Sequence, residues 1–181
     1  MSTVGTTLTA WDEFVQLPDP EDGHHYELHD GEVVLVAPPK LIHIYIQSTL
    51  VQWLIGAAQG RAHAVQEFPY RPVPNVQFWY ADVACMPIED WKAMRTAEYP
   101  VYAPPLIIEV LSPSNRPKKI QRQRLSAFSG GTVEFWVVDP VAHTVEVSLP
   151  GKPSRVYSGQ ETVPVAVLPG VHLPVHTILE E

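Results

Sequence analysis

The chain has 181 residues, with 12 Lys and Arg against 20 Asp and Glu and a formal net charge of −8. Apolar residues make up 45%, enough for a sizeable core in one domain, and the acidic balance argues against a broad nucleic-acid-coating surface, though not against a local basic cleft. A single cysteine, Cys85, excludes an intrachain disulfide and a multi-thiolate zinc site, and reads as a small buried apolar residue.

The N-terminal Met-Ser-Thr-Val-Gly-Thr-Thr lacks the basic and apolar regions of a signal peptide. No apolar run approaches about 18 residues. The expectation is a soluble, cytoplasmic protein that makes no membrane contact. Nineteen prolines predict many short elements joined by firm turns.

Thr9-Ala-Trp-Asp12 resembles a capping box and predicts a short helix over about Ala10–Gln16, ended by Pro18 and Pro20. Tyr26–His29 and Glu32–Val36 flank Asp30-Gly31, a hairpin signal. From Lys40 to Ala58 the apolar period is helical, through Ile42, Ile46, Leu50 and Leu54, until Gly60. His43 lies in the first turn of that helix.

Two strands follow, Arg61–Arg71 and Val76–Met86, the second carrying Asp82 between Ala81 and Val83. Pro87 opens a short helix over Ile88–Arg95. Leu106–Leu111 has five apolar residues in six and one charge, Glu109. It reads as a central strand covered on both faces. Arg116–Ser129 reads as an exposed basic helix stopped by Gly130-Gly131, and Val133–Pro140 as a second apolar strand. His143–Leu149 and Arg155–Tyr157 are antiparallel edge strands, and the Pro-rich end adds one more short strand. Strand–helix–strand around Leu106–Val138 predicts one parallel pair with a right-handed crossover. The class is α/β with a mixed sheet, tending to α+β. Residues 1–181 form a single domain, with 1–20 as an N-terminal arm and short helix and 141–181 as C-terminal strands.

A carboxylate inside an apolar strand is costly unless something pairs with it. Asp82 and Glu109 both sit in such strands. Converging at adjacent strand ends, they would offer oxygen ligands to a hard divalent cation. Such an ion lowers the pKa of water and steadies a phosphodiester transition state. Spacing alone favours reading each acid as a structural carboxylate paired with Arg or facing solvent. Arg116, Lys118, Lys119, Arg122 and Arg124 place five of the twelve basic residues within nine positions. They form either a phosphate-contacting face or a solvated one. The His25/His29 and His172/His176 pairs have metal-type spacing only on a helix. On a strand, residues four apart stand roughly 13 Å apart, so both pairs read as surface or edge-strand histidines.

Several segments together resemble one known family. They are Tyr26-Glu-Leu-His-Asp-Gly-Glu-Val33, Ala37-Pro-Pro with His43 opening a helix, Ala81-Asp82-Val83, Pro104-Pro-Leu-Ile-Ile-Glu109-Val-Leu-Ser-Pro-Ser-Asn-Arg116 and Glu134-Phe-Trp-Val-Val-Asp-Pro140. The chain resembles the Uma-two family of putative restriction endonucleases, within the PD-(D/E)XK nuclease superfamily, from about Tyr26 to Tyr157.

The resemblance implies a restriction-endonuclease-like core with flanking helices and an antiparallel C-terminal extension. It implies a metal-dependent endodeoxyribonuclease that hydrolyses DNA with a metal-activated water. Asp82 and Glu109 would hold magnesium or manganese, with the Val110 carbonyl as a third ligand and Glu27 and His43 as secondary site residues. The family's catalytic Lys is expected on the following helix, four residues after an Asp. Counted without gaps between Glu109 and Glu134, that Lys falls on Gln123 and the Asp on Lys119; a one-residue shift gives Arg124 and Ile120. Neither register supplies the Lys.

Two readings follow. Lys119, one helical turn or roughly 5.4 Å from Gln123, replaces it, with Arg122 and Arg124 as further candidates. Alternatively the site is degenerate, and the fold serves as a nucleic-acid-binding or dimeric interaction module. In the dimeric case Trp53, Phe78 or Trp79 would feed an interface. A homodimer also suits a nuclease that cuts both strands.

Overall fold

The computed structural model describes residues 8–112 and 117–179. Its elements are α1 (Trp11–Phe14), β1 (His25–His29), β2 (Glu32–Val36), α2 (Leu41–Ala58), β3 (Ala62–Tyr70), β4 (Gln77–Pro87), α3 (Ile88–Ala93), β5 (Leu106–Val110), α4 (Pro117–Ser129), β6 (Glu134–Asp139), β7 (Thr144–Ser148), β8 (Arg155–Ser158), β9 (Thr162–Pro164), β10 (His172–Pro174) and α5 (His176–Leu179). One eight-stranded sheet runs β2-β1-β4-β5-β6-β7-β8, with β3 paired to β4 off this path. β9 and β10 make a separate hairpin. β5 and β6 are parallel, from Leu106↔Glu134 to Val110↔Val138, and α4 connects them. The other strand pairs are antiparallel. This is the predicted mixed sheet with one parallel pair.

Local chemistry explains the turns. Asp30 (φ 51°) and Gly31 (φ 85°) supply the two left-handed residues of a tight hairpin between His29 and Glu32. Gln59 (φ 49°) caps α2 in the left-handed region, and Gly60 (φ 79°) carries the chain away. A Cβ on Gly130 would lie 2.6 Å from the Pro72 Cβ, so only glycine lets α4 end against that loop.

Two apolar layers cover the sheet. On one face α2 buries Ile46, Leu50, Leu54 and Ala58 against Val83, Leu106, Ile108, Val110 and Trp136. Val163, Leu173 and Ile178 from the C-terminal segment complete that core. Ala166 N–H donates to Glu134 Oε2 at 2.8 Å and ties the segment to β6. On the other face α4 sets Ile120 and Ala127 against Tyr70, Trp79, Ile107 and Phe135. Each fully buried Leu or Ile contributes about 1.5–3 kcal/mol. Phe14, Leu28 and Phe78 form a third cluster beneath α1. Cys85 is buried as expected, and desolvation followed by the Glu134 charge pushes its thiol up to about 12.

Several expectations change. The first helix spans only Trp11–Phe14, and its cap moves by one residue: the Ala10 N–H donates to Glu13 Oε2 at 3.4 Å. Pro87 ends β4 and caps α3 instead of opening it. The single predicted C-terminal strand is a hairpin followed by α5. α4 is not exposed throughout, because Ile120, Gln123, Ser126 and Ala127 are buried. Phe78 and Trp79 lie in the core at 4% and 0% exposure and are not available to an interface. The reading that no segment is apolar enough to span a bilayer also changes. α2 has 18 residues and is apolar enough to meet that length and composition. Its inner side packs on the sheet.

Candidate active site

β4 changes partners along one edge. At its start it pairs with β1, through His29↔Gln77 and Leu28↔Phe78. At its end it pairs with β5, through Val83↔Ile108, Ala84↔Ile107 and Cys85↔Leu106. Between them, from Trp79 to Asp82, that edge has no strand partner among the described residues. Buried backbone groups must still be satisfied, and side chains do it. Tyr80 N–H donates to Glu27 Oε1 at 3.2 Å, and Tyr80 O accepts from Gln123 Nε2 at 3.2 Å. Asp82 N–H donates to Glu109 Oε1 at 3.4 Å, while Val110 N–H donates to Asp82 Oδ2 at 2.6 Å. The two acids therefore meet where β4 peels away from β5.

Asp82 reaches toward α2. His43 Nε2 lies 2.9 Å from its Oδ2, and Gln47 Nε2 donates to its Oδ1 at 3.2 Å. Burial works against a charged His43, but the Asp82 hydrogen bond and charge, with Glu67 behind them, raise its pKa. Glu109 reaches toward α4, where Gln123 Nε2 donates to its Oε1 at 2.9 Å. Burial, and then the Asp82 charge, push the Glu109 carboxyl well above the usual carboxylate range. Tyr70 stands close by, and burial followed by the Glu109 charge push its hydroxyl well above the tyrosine range. The site lies between the two helical layers and not on either one.

The third acid is Glu27, only 2% exposed. Its Oε2 accepts from Lys119 Nζ at 2.8 Å and lies 2.9 Å from His29 Nε2. Burial opposes its charge, yet the His29 hydrogen bond and Lys119 hold its pKa below the ordinary value. Lys119 stays charged: burial works against it, and Glu27, then Glu109 and Asp82, raise its pKa. The basic helix divides its side chains. Arg122 binds Asp30 at 2.5 Å and the His29 carbonyl at 2.7 Å. Arg124 binds Glu146 at 2.8 Å and Ser148 Oγ at 2.7 Å. Lys118 is exposed, and Arg116 lies outside the described residues.

The structure thus brings together Asp82, Glu109, Val110, Gln123, Lys119, Glu27 and His43. Arg122 and Arg124 are turned to the β1–β2 hairpin and to β7. Sequence reasoning missed Glu67 and Gln47. Gln47 Nε2 donates to Glu67 Oε1 at 2.5 Å as well as to Asp82. Burial and then the Asp82 charge raise the Glu67 pKa, only partly offset by Gln47. The signal that found Asp82 and Glu109, an acid inside a strand, applied equally to Glu67. The helical face shared by His43 and Gln47 pointed the same way.

The sequence model of the Uma2 family, described as putative restriction endonuclease, matches residues 11–176. No curated protein matches the chain. A crystal structure of a putative nuclease from Anabaena variabilis is similar, at 25% sequence identity and a TM-score of 0.81. The match covers 94% of this chain and 97% of that one. With an acid pair of the expected residues at the centre of the fold, and a family match over nearly its whole length, the chain belongs to the Uma2 (Uma-two) family of putative restriction endonucleases.

Proposed function

We propose that the chain is a divalent-metal-dependent endodeoxyribonuclease that hydrolyses phosphodiester bonds in DNA. The observation that carries this reading is the meeting of Asp82 and Glu109 across the end of the β4–β5 ladder. Their immediate partners are amides and one histidine, and among the described residues no Lys or Arg lies directly on either carboxylate.

The donor set fits a hard cation. It is made of oxygens, and burial, followed by the charge of the neighbouring Asp82, raises the Glu109 pKa. Magnesium or manganese would be held by Asp82 and Glu109, with the Val110 carbonyl as a further oxygen. Among the described residues no three His, Cys, Asp or Glu side chains form a chelating group by themselves. Water and phosphate oxygens would complete the shell, as is common for magnesium. When bound, the ion supplies Lewis acidity and lowers the pKa of water.

The chain's own residues hold the acids and meet the substrate. His43 and Gln47 orient Asp82, and Gln123 orients Glu109. Lys119 uses one N–H on Glu27 and has two more for phosphate oxygens, where it would stabilise developing charge. Lys118, exposed on the outer side of α4, offers a further contact for the DNA backbone. Two copies, each with one site, would serve the two strands of a duplex.

Nicking of supercoiled plasmid tests the reading. Magnesium- or manganese-dependent nicking is expected, and Asp82→Asn and Glu109→Gln should each abolish it. Gln123 favours a second reading, because a neutral amide stands where the family's Lys is expected. On that reading the chain binds DNA in a salt-sensitive way and never nicks it, even at high protein concentration.

A further inference from the structure

The β3–β4 ladder runs in constant register from Ala62↔Pro87 to Tyr70↔Trp79 and omits one rung, Glu67 opposite Asp82. Glu67 has a φ of 51°, in the left-handed region. An L residue pays for that conformation, and a non-glycine holds it only where the surroundings enforce it. Both strands change phase at this point. Ala62 and Ala64 face the α2 core before it, whereas Phe68 and Tyr70 face the α4 core after it. Val83 and Cys85 face the α2 core, whereas Ala81 and Trp79 face the α4 core.

Two carboxylates directly opposite each other repel. The fully buried Gln47 amide lies between them and gives hydrogens to both, at 2.5 Å to Glu67 Oε1 and 3.2 Å to Asp82 Oδ1. Its own Oε1 is buried without a hydrogen-bond partner among the described residues. Turning the amide over would satisfy no carboxylate and would set an oxygen against two others. Glu67 and Asp82 together therefore fix which end of Gln47 faces them, with Glu67 taking the shorter hydrogen bond.

We propose that Glu67 is a positioning residue. Through Gln47 it locks the Asp82 carboxylate in its cation-binding orientation, and its left-handed backbone is retained for this purpose. The inference rests on the metal-dependent nuclease reading and extends it to a residue outside the Asp82–Glu109 pair. A neutral acceptor at position 67 can serve Gln47 as well as a carboxylate does, whereas glycine relieves the backbone and removes the acceptor.

The test compares Glu67→Gln, Glu67→Gly, Gln47→Leu and the double variant Glu67→Gly/Gln47→Leu. It measures manganese affinity by calorimetry, plasmid nicking and the unfolding temperature of the full chain. Glu67→Gln should keep manganese affinity within about threefold of wild type. Glu67→Gly should lose about 10–100-fold, the range for residues that orient metal ligands, while melting no lower than wild type because its backbone is relaxed. The double variant should be no weaker than Gln47→Leu alone, since the two residues act as one unit. Wild-type affinity and nicking in Glu67→Gly would overturn the inference and leave the nuclease reading standing. So would an affinity loss in Glu67→Gln equal to that in Glu67→Gly, because a charge requirement means direct ligation. A wild-type chain that neither binds manganese nor nicks DNA overturns the nuclease reading, and this inference with it.

Discussion

Asp82 and Glu109 exchange strands: Val110 N–H, next to Glu109, donates to Asp82 Oδ2 at 2.6 Å, and Asp82 N–H donates to Glu109 Oε1 at 3.4 Å. Each acid takes an amide that a continuing β4–β5 ladder would have used. The carboxylates are thereby fixed by the sheet itself. Asp82→Asn and Glu109→Gln should each lower nicking by more than about 100-fold, beyond the loss typical of residues that only orient ligands. At alkaline pH Glu109→Gln should also melt above wild type, because it removes a buried charge whose protonated form the fold prefers. Retained nicking in both variants would place the chemistry elsewhere.

Gln123 holds Glu109 at 2.9 Å, the place from which a Lys would act on the same carboxylate. Gln123→Lys should therefore raise the nicking rate, by about tenfold or more, since a positive donor stabilises phosphate charge better than an amide. Steady-state nicking with manganese measures the gain. An unchanged rate would show that Lys119 already fills the role.

Lys119 and Glu27 are separable by a substitution that keeps a donor. Lys119→Gln should retain most of the hydrogen bond to Glu27 and lose the charge. Nicking should fall by about 10–100-fold while the fold persists. Lys119→Ala leaves Glu27 with His29 and the Tyr80 N–H, and should cost about 1–3 kcal/mol of stability. Urea unfolding beside nicking separates the two effects. Equal activity in Lys119→Gln and wild type would exclude Lys119 from the chemistry.

The pH dependence has a definite sign. The Glu109 pKa is raised in the folded chain from 4.5, so its contribution to stability is present below that pH and lost as pH rises through the raised value. His43, raised from 6.5 by Asp82, behaves in the same way: its contribution holds below 6.5 and fades as pH rises through its folded value. Glu27 is lowered, so its contribution holds above 4.5 and fails as pH falls through its folded value. A cation on Asp82 and Glu109 displaces the Glu109 proton and competes with charged His43. The rise in unfolding temperature on adding manganese should grow as pH rises through the raised Glu109 and His43 values. Scanning calorimetry across those values checks it, and a constant rise would rule out Asp82 and Glu109 as the ligands.

The sequence by itself determined the order of elements as far as β8, the one parallel pair and the two acids. Asp30-Gly31 dictates a tight turn, Gly60 ends a helix, and unbroken apolar runs at Leu106–Val110 and Phe135–Val138 must lie inside a sheet. Those are local rules, and Asp82 and Glu109 stood out because a carboxylate violates them. Only the tertiary structure decided the partners. It turned Lys119 onto Glu27, put Gln123 on Glu109, and drew Arg122 and Arg124 to acids far away in the chain. It also set Glu67 across from Asp82, with Gln47 between them. The physical reason is that hydrogen bonding and charge compensation are settled by distance in space. Where β4 leaves β1 and has not yet joined β5, side chains distant in sequence must satisfy one strand edge.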